Sequence, residues 1–313
     1  VIDKQGTAQY AATGDNAMWT ADGWKDYELI DTSDGERLER WGSYTLIRPD
    51  PQVVWHGRRA SDAWRHADGT YHRSSSGGGS WNNGRRLKSE WNIGYDLGIG
   101  EHLTFIVRPT GFKHTGLFPE QAANWEWFTS LIKSRIASDR PVRVLNLFAY
   151  TGGATVAAAA AGASVCHVDA AKGMVAQAKE NARLSGLGEA PIRYIVDDCK
   201  KFVERELRRG KVYDAVIMDP PSYGRGPSGE IWKLEDSIDD LILLASRVLS
   251  DDPLFFLVNS YTTGLSPSVV SYIMGTIPAF DGGVLEAQEL GLPVTETGMS
   301  IPCGSSARWS AEL

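Results

Sequence analysis

Arg143-Val-Leu-Asn-Leu-Phe-Ala-Tyr-Thr-Gly-Gly-Ala-Thr-Val-Ala-Ala-Ala-Ala-Ala-Gly-Ala-Ser-Val-Cys-His-Val-Asp169 is the stretch on which the fold turns. An apolar run with one polar break, Val142 to Phe148, reads as a buried strand, and Thr151-Gly152-Gly153 as the turn after it. The alanines that follow have the propensity of a buried helix, and Ala163 to Val168 reads as the next strand. Strand, turn, helix and strand make a βαβ unit ending in Asp169, an acid about twenty residues past the start of the turn. Such a unit suits a nucleoside-like ligand. Glycines let backbone approach it, a helix N-terminus favours an anion, and the acid accepts from ribose hydroxyls. The glycines do not spell G-x-G-x-x-G, so a dinucleotide is disfavoured, and a purely structural crossover stays open on these residues alone.

Outward from this unit, strands and helices alternate as a parallel sheet requires. Helices are expected over 171–186, 200–209 and 234–249 and from Ser266, with strands over 192–196, 213–218 and 254–258. Val284 to Leu290 and Gly298 to Cys303 read as a closing antiparallel pair. Before the unit, Trp125, Phe128 and Ile132 fall at helical spacing and read as core. Trp91 to Val107 reads as a hairpin, Tyr27 to Trp55 as short strands stopped by Arg48-Pro49-Asp50-Pro51, and residues 1 to about 22 as a loose arm. The division expected is a smaller β-rich N-terminal domain over 1–112 and a doubly wound α/β domain over 113–313.

The chain has 313 residues and a formal net charge of −7, which argues against a protein that holds nucleic acid by charge over its whole surface. Between Trp55 and Glu90, however, seven cations (Arg58, Arg59, Arg65, Arg73, Arg85, Arg86, Lys88) face three acids, interleaved with Trp55, Trp64, Tyr71 and Trp81. Cations with exposed aromatics suit looped RNA, with Arg85 and Arg86 the chosen contacts; a solvated basic face over a small core is the alternative. Three scattered cysteines suggest a reducing compartment and argue against a disulfide framework and a zinc site, no run is long enough to span a membrane, and a cytoplasmic protein is expected. Val1 in place of Met suggests that a short natural N-terminus is missing.

Asn146-Leu-Phe-Ala-Tyr-Thr-Gly-Gly153 resembles motif I of class I S-adenosylmethionine (SAM)-dependent methyltransferases, in the variant form of the bacterial large-subunit ribosomal RNA methyltransferases. The commoner form has an acid at the Asn146 position and glycines at those of Phe148 and Tyr150. Asp219-Pro-Pro-Ser-Tyr223 is similar to the same branch's Asp-Pro-Pro-x-aromatic motif, and Thr115-Gly-Leu-Phe-Pro-Glu-Gln121 to its Thr-Gly-x-Phe-x-Asp-Gln segment, with Glu120 replacing Asp.

The resemblance implies a seven-stranded, doubly wound Rossmann-like sheet, SAM as cofactor, no metal, and RNA as partner. It places Asn146, Phe148, Ala149, Thr151 and Gly152 at the methionine part of SAM, with Gln121 a further contact. Asp169 and Ala170 fall at the ribose, and Asp198 with Cys199 at the adenine, Asp197 being the fallback. Taken singly, each of these acids reads as a helix N-cap. Asp219 and Pro220 would accept from an amino group on a planar base, and Tyr223 would stack on it. Methylation at C5 of a pyrimidine needs a cysteine thiolate, and Asn259-Ser260-Tyr261 stands where that cysteine is carried. Cys303 is the outside candidate. Val258-Asn259-Ser260 resembles the Ser-Asn-Asn of the branch acting on guanine N7, which makes Asn259 a substrate contact. The expected function is direct methyl transfer to a base nitrogen of structured RNA, which the resemblance implies is ribosomal. The alternatives are an N-methyltransferase for a protein side chain or small molecule, and a SAM-binding RNA module without turnover.

Overall fold

In the computed structural model, which describes residues 18–57, 59–74, 78–84, 87–111, 113–225 and 231–311, the first element is a strand of the large sheet. This β1 (Met18–Thr20) pairs in parallel with Glu289–Gly291, which corrects the expected loose arm over its last residues; residues 1–17 lie outside the described residues. The pairing covers what would be an open sheet edge. Trp19 adds to it by packing its ring 3.6 Å from the Arg308 guanidinium.

β2 (Tyr27–Ser33), β3 (Glu36–Trp41), β4 (Tyr44–Pro49), β5 (Gly69–Arg73) and β6 (Gly79–Asn83) then form a five-stranded sheet in chain order. Only β4 and β5 run parallel. Asp34 and Gly35 join β2 to β3 with φ of 54° and 78°, the left-handed pair that a tight hairpin of this twist demands. β7 (Trp91–Asp96) and β8 (His102–Val107) are the expected hairpin.

The helices that cover the large sheet begin with α1 (Ala122–Ala137), whose Trp125, Phe128 and Ile132 are buried as their spacing predicts. The chain continues as β9 (Arg143–Leu147), α2 (Gly153–Ala160), β10 (Ser164–Asp169), α3 (Lys172–Leu184), β11 (Ile192–Val196), α4 (Cys199–Arg208) and β12 (Ala215–Met218). A small hairpin, β13 (Tyr223–Arg225) with β14 (Ile231–Lys233), precedes α5 (Ile238–Ser246), β15 (Phe255–Ser260), α6 (Pro267–Gly275), β16 (Gly283–Pro293) and β17 (Ser300–Ala311). The sheet order is β1-β16-β17-β15-β12-β9-β10-β11, so the seven-stranded doubly wound sheet is present with β1 added as an eighth strand. β17 is antiparallel to both neighbours.

Two apolar layers sandwich this sheet. One gathers α1, α2 and the β7–β8 hairpin and also takes in Leu29, Trp41 and Leu46 of the N-terminal sheet; the other gathers α4, α5 and α6. Val156, Ala157 and Ala158 of α2 are fully buried, since alanine lets the helix lie close to the strands. Each large side chain sealed in these layers contributes about 1.5–3 kcal/mol. Among the described residues no helix is long and apolar enough to cross a membrane. None of the described His, Cys, Asp and Glu side chains group in a way that could hold a metal ion.

Candidate active site

The β9–α2 turn follows from local strain. Phe148 and Tyr150 adopt φ of 56° and 50°, left-handed values at the two positions where the commoner motif has glycine. Non-glycine residues hold such a conformation at a cost of roughly 1–2 kcal/mol each, so the turn must be held by its surroundings. It is: the Phe148 amide donates to Cys199 Sγ (3.2 Å), the Ala149 amide to the Val168 carbonyl (3.0 Å) and the Tyr150 amide to the Asp169 carboxylate (2.8 Å). These amides therefore face protein, and the Phe148 and Tyr150 side chains face the cavity described below.

The other turn residues act from behind. Asn146 is buried and donates to Thr155 Oγ1 (2.9 Å), and the Thr151 hydroxyl donates to the Gly116 carbonyl (2.5 Å). Both line a smaller pocket with Ala149 and Gln121. Gly152 lines neither; its φ is 83°, and a Cβ there would stand 2.7 Å from the Ala178 Cβ. It serves helix–helix approach. Gly152→Ala is expected to destabilise by about 1–3 kcal/mol, read as a lower urea midpoint at unchanged slope.

At the carboxyl ends of the strands lies a cavity of about 600 Å³. Among its lining residues, Asp169, Ala170, Asp198 and Cys199 come from the carboxyl ends of β10 and β11 on one side of β9, and Asp219, Pro220, Pro221, Ser222 and Tyr261 from those of β12 and β15 on the other, with Glu120 close enough to act on Asp219 and Tyr261. The Asp169 carboxylate also accepts from the Ala171 amide (2.8 Å), and Asp198 caps α4 by accepting from the Lys201 amide (2.9 Å). The N-cap expectation thus holds for Asp198 while its side of the strand still faces the cavity. Asp197 is engaged by Arg205 and does not line it.

Asp219 differs from the other acids: among the described residues its carboxyl has neither hydrogen-bond nor ion-pair partner. Burial, with the charge of Glu120 added, pushes it up to about 7. Glu120 is 4% exposed and is itself raised by burial. The Tyr261 hydroxyl accepts from Gln121 Nε2 (2.8 Å) and bonds Glu120.

Several expected contacts lie elsewhere. Tyr223 sits in β13, 53% exposed and outside the cavity lining, because its strand pairs with β14 and turns away from the Pro-Pro turn. The tyrosines that do line the cavity are Tyr150 and Tyr261. Asn259 is buried in a network, accepting from Asn124 Nδ2 (3.0 Å) and Ser306 Oγ (2.7 Å), and reaches only the smaller pocket. Arg58, Arg85 and Arg86 lie outside the described residues. In the same segment Trp64 and Tyr71 are buried, and Arg59 pairs with Asp34 and Glu36, so of the four aromatics named only Trp55 is exposed.

The third wall was not foreseen from sequence. β3, β4 and the segment before α1 bring Arg37, Arg48, Asp50, Gln52, Lys113 and His114 to the cavity. Burial and Arg48 push His114 down to about 3, so it is neutral. Cys303 also lines this wall, with Arg37 Nη2 donating to its sulfur (3.4 Å). Burial pushes its thiol up to about 12 in spite of Arg37, which leaves it protonated at neutral pH.

A doubly wound sheet with acids behind adjacent strands and a cavity of nucleoside size across their ends defines a nucleoside-cofactor enzyme of α/β class. The model of the S-adenosylmethionine-dependent methyltransferase family matches residues 52–234, and the chain belongs to that family. SAM is its cofactor. A SAM-dependent methyltransferase of known structure from Agrobacterium tumefaciens is 36% identical over 94% of this chain and 93% of its own, with a TM-score of 0.85. A Streptococcus mutans structure, 18% identical over 93% of this chain and 76% of its own with a TM-score of 0.70, shares the fold. In sequence, the ribosomal RNA large subunit methyltransferase K/L of Shewanella sp. (strain MR-4) is 34% identical over 137 residues, 43% of this chain and 18% of that protein. Its counterpart in Shewanella baltica (strain OS195) is 35% identical over 149 residues, 46% of this chain and 19% of that protein. The chain thus matches less than a fifth of the length of these relatives.

Proposed function

We propose that this enzyme methylates a base nitrogen of structured RNA, ribosomal RNA being the acceptor that the names of its Shewanella relatives favour. The observation that carries the reading is one cavity with acids for a nucleoside at the ends of β10 and β11 and, at the end of β12 beside Pro220, an Asp219 that has no partner among the described residues. In this reading Asp169 and Ala170 hold the ribose hydroxyls of SAM, Asp198 and Cys199 the adenine edge, and Phe148 packs on it. Asn146, Ala149, Thr151 and Gly152 keep the turn in shape behind it, and Gln121 supports it through Tyr261. Bound SAM supplies an electrophilic methyl group on a cationic sulfur.

The chain's own residues then have modest work. The Asp219 carboxylate and the Pro220 carbonyl accept N–H bonds from the acceptor's amino group and aim its nitrogen. The walls exclude water, and the Asp219–Glu120 pair takes the released proton toward solvent. A protonated Cys303 favours direct transfer over a covalent adduct. Residues 1–112 would supply the wall that selects the acceptor.

The test is transfer of label from SAM to total RNA, ribosomal subunits and a protein extract. Label in RNA supports the reading, and label confined to protein overturns it. A pH profile checks the role of Asp219. An acid pushed up to about 7 is ionised only above that value, so kcat/KM should rise about tenfold per pH unit below 7 and level off above it. Asp219→Asn should flatten that limb. The stability sign is opposite. The native state binds the extra proton between the unfolded carboxyl value and about 7, so stability falls as pH rises through 7, and Asp219→Asn removes this fall.

A further inference from the structure

The cavity is electrically two-sided. On the catalytic wall Glu120 and Asp219 make no ion pair among the described residues, though the charges of Arg37 and Arg48 reach Glu120, whereas the N-terminal wall carries Arg37, Arg48 and Lys113. The arginines there are already compensated: Arg48 makes two bonds to Glu39 (2.6 and 2.8 Å), and Arg37 pairs with Asp50. Lys113 is not. Its own carbonyl accepts from Arg48 Nη1 (3.0 Å), which holds the segment against the arginine, yet among the described residues no acceptor meets its ammonium. It is half-buried. Burial first, then Arg48, and more weakly Arg73 and Arg37, lower its affinity for a proton, and only Asp50, which Arg37 already holds, opposes them.

A half-buried ammonium among like charges, with no acid of its own, is unfavourable in the free protein and becomes favourable when an anion enters. We propose that Lys113 is the phosphate contact of the acceptor nucleotide, so that base and phosphate span the cavity from Asp219 to the N-terminal wall. A compact ammonium suits a phosphate oxygen as a point charge. His114, neutral beside it, adds no competing charge. This rests on the RNA reading above and sharpens it, because a protein amide or a nucleoside would bring no anion to this wall.

The experiment measures binding by the whole chain of two probes: labelled single-stranded RNA heptamers of random sequence, and inorganic pyrophosphate. Lys113→Met, which keeps the apolar stem, should weaken RNA about tenfold, lower the slope of log affinity against log salt by about one, and abolish pyrophosphate binding. Lys113→Arg should keep all three, and both variants should bind SAM as the unaltered protein does. If Lys113→Met binds RNA with unchanged affinity and salt slope, the inference is overturned while the RNA reading stands. Pyrophosphate bound by the unaltered protein and lost in Lys113→Met, with no RNA bound by either, would support the anion site and overturn the RNA acceptor. No pyrophosphate binding to the unaltered protein overturns the anion site.

Discussion

Asp219→Ala is expected to slow methyl transfer by a factor on the order of 10²–10⁴ and to leave SAM affinity within about threefold. The split follows from where the carboxyl lies. It lines the cavity beside Pro220 and Pro221 at the end of β12, across β9 from the strands that carry Asp169 and Asp198, and no neighbour among the described residues occupies its oxygens. Removing it therefore takes away an aim for the acceptor and a site for the proton, while the cofactor's expected contacts stay in place. Single-turnover transfer and equilibrium dialysis with SAM separate the two effects. A loss of SAM affinity as large as the loss of rate would put Asp219 in the cofactor half of the cavity and sink the acceptor role.

Glu39→Ala should cost about 3–5 kcal/mol of folding stability, the range for removing one partner of a buried ion pair. Glu39 is fully buried and accepts from Arg48 through both oxygens and from the Tyr27 hydroxyl (2.8 Å). Burial works against its charge, yet Arg48, Arg37 and Tyr27 together hold its carboxyl below the ordinary range. Without it the Arg48 guanidinium, packed over Trp41 at 5.2 Å, is a buried charge with no acid. Urea unfolding gives the number. A loss under about 1 kcal/mol would mean that the pair is dispensable, as replacement by apolar groups on both sides can be. Because the carboxyl is depressed, its contribution is present above the unfolded carboxyl value and is lost as pH falls through the folded one. The variant should therefore lose its deficit in acid. The same variant should weaken RNA more than SAM, since Arg48 carries the segment with Lys113 through that residue's carbonyl.

Much of the fold was legible because its signals are local. Strand 192–196 is found at Ile192–Val196, and the buried face of α1 follows from three apolar residues at helical spacing. Asp169 ends β10, and Asp198 and Asp219 follow β11 and β12, where short motifs put them. Even so, local reading overstated the motif's backbone. Phe148 and Tyr150 give the turn their side chains, and its amides are spent on Cys199, Val168 and Asp169. Tyr223 illustrates the same limit, since a pairing with β14 that no motif announces carries it out of the cavity.

What the residue order determined by itself is the doubly wound sheet and the acids at its strand ends, because strand, turn and helix preferences act over a few neighbours. What only the tertiary structure decided is who faces those acids. The register of β3 against β4 puts Arg37 and Arg48 on one wall, α1's lead-in adds Lys113 there and brings Glu120 to Asp219, and the last strand brings Cys303. These residues lie up to 266 positions apart, as the contact from Arg37 to Cys303 shows, and depend on packing between the two sheets. Such contacts form by burying apolar surface common to many sequences, so no spacing or composition marks them in advance.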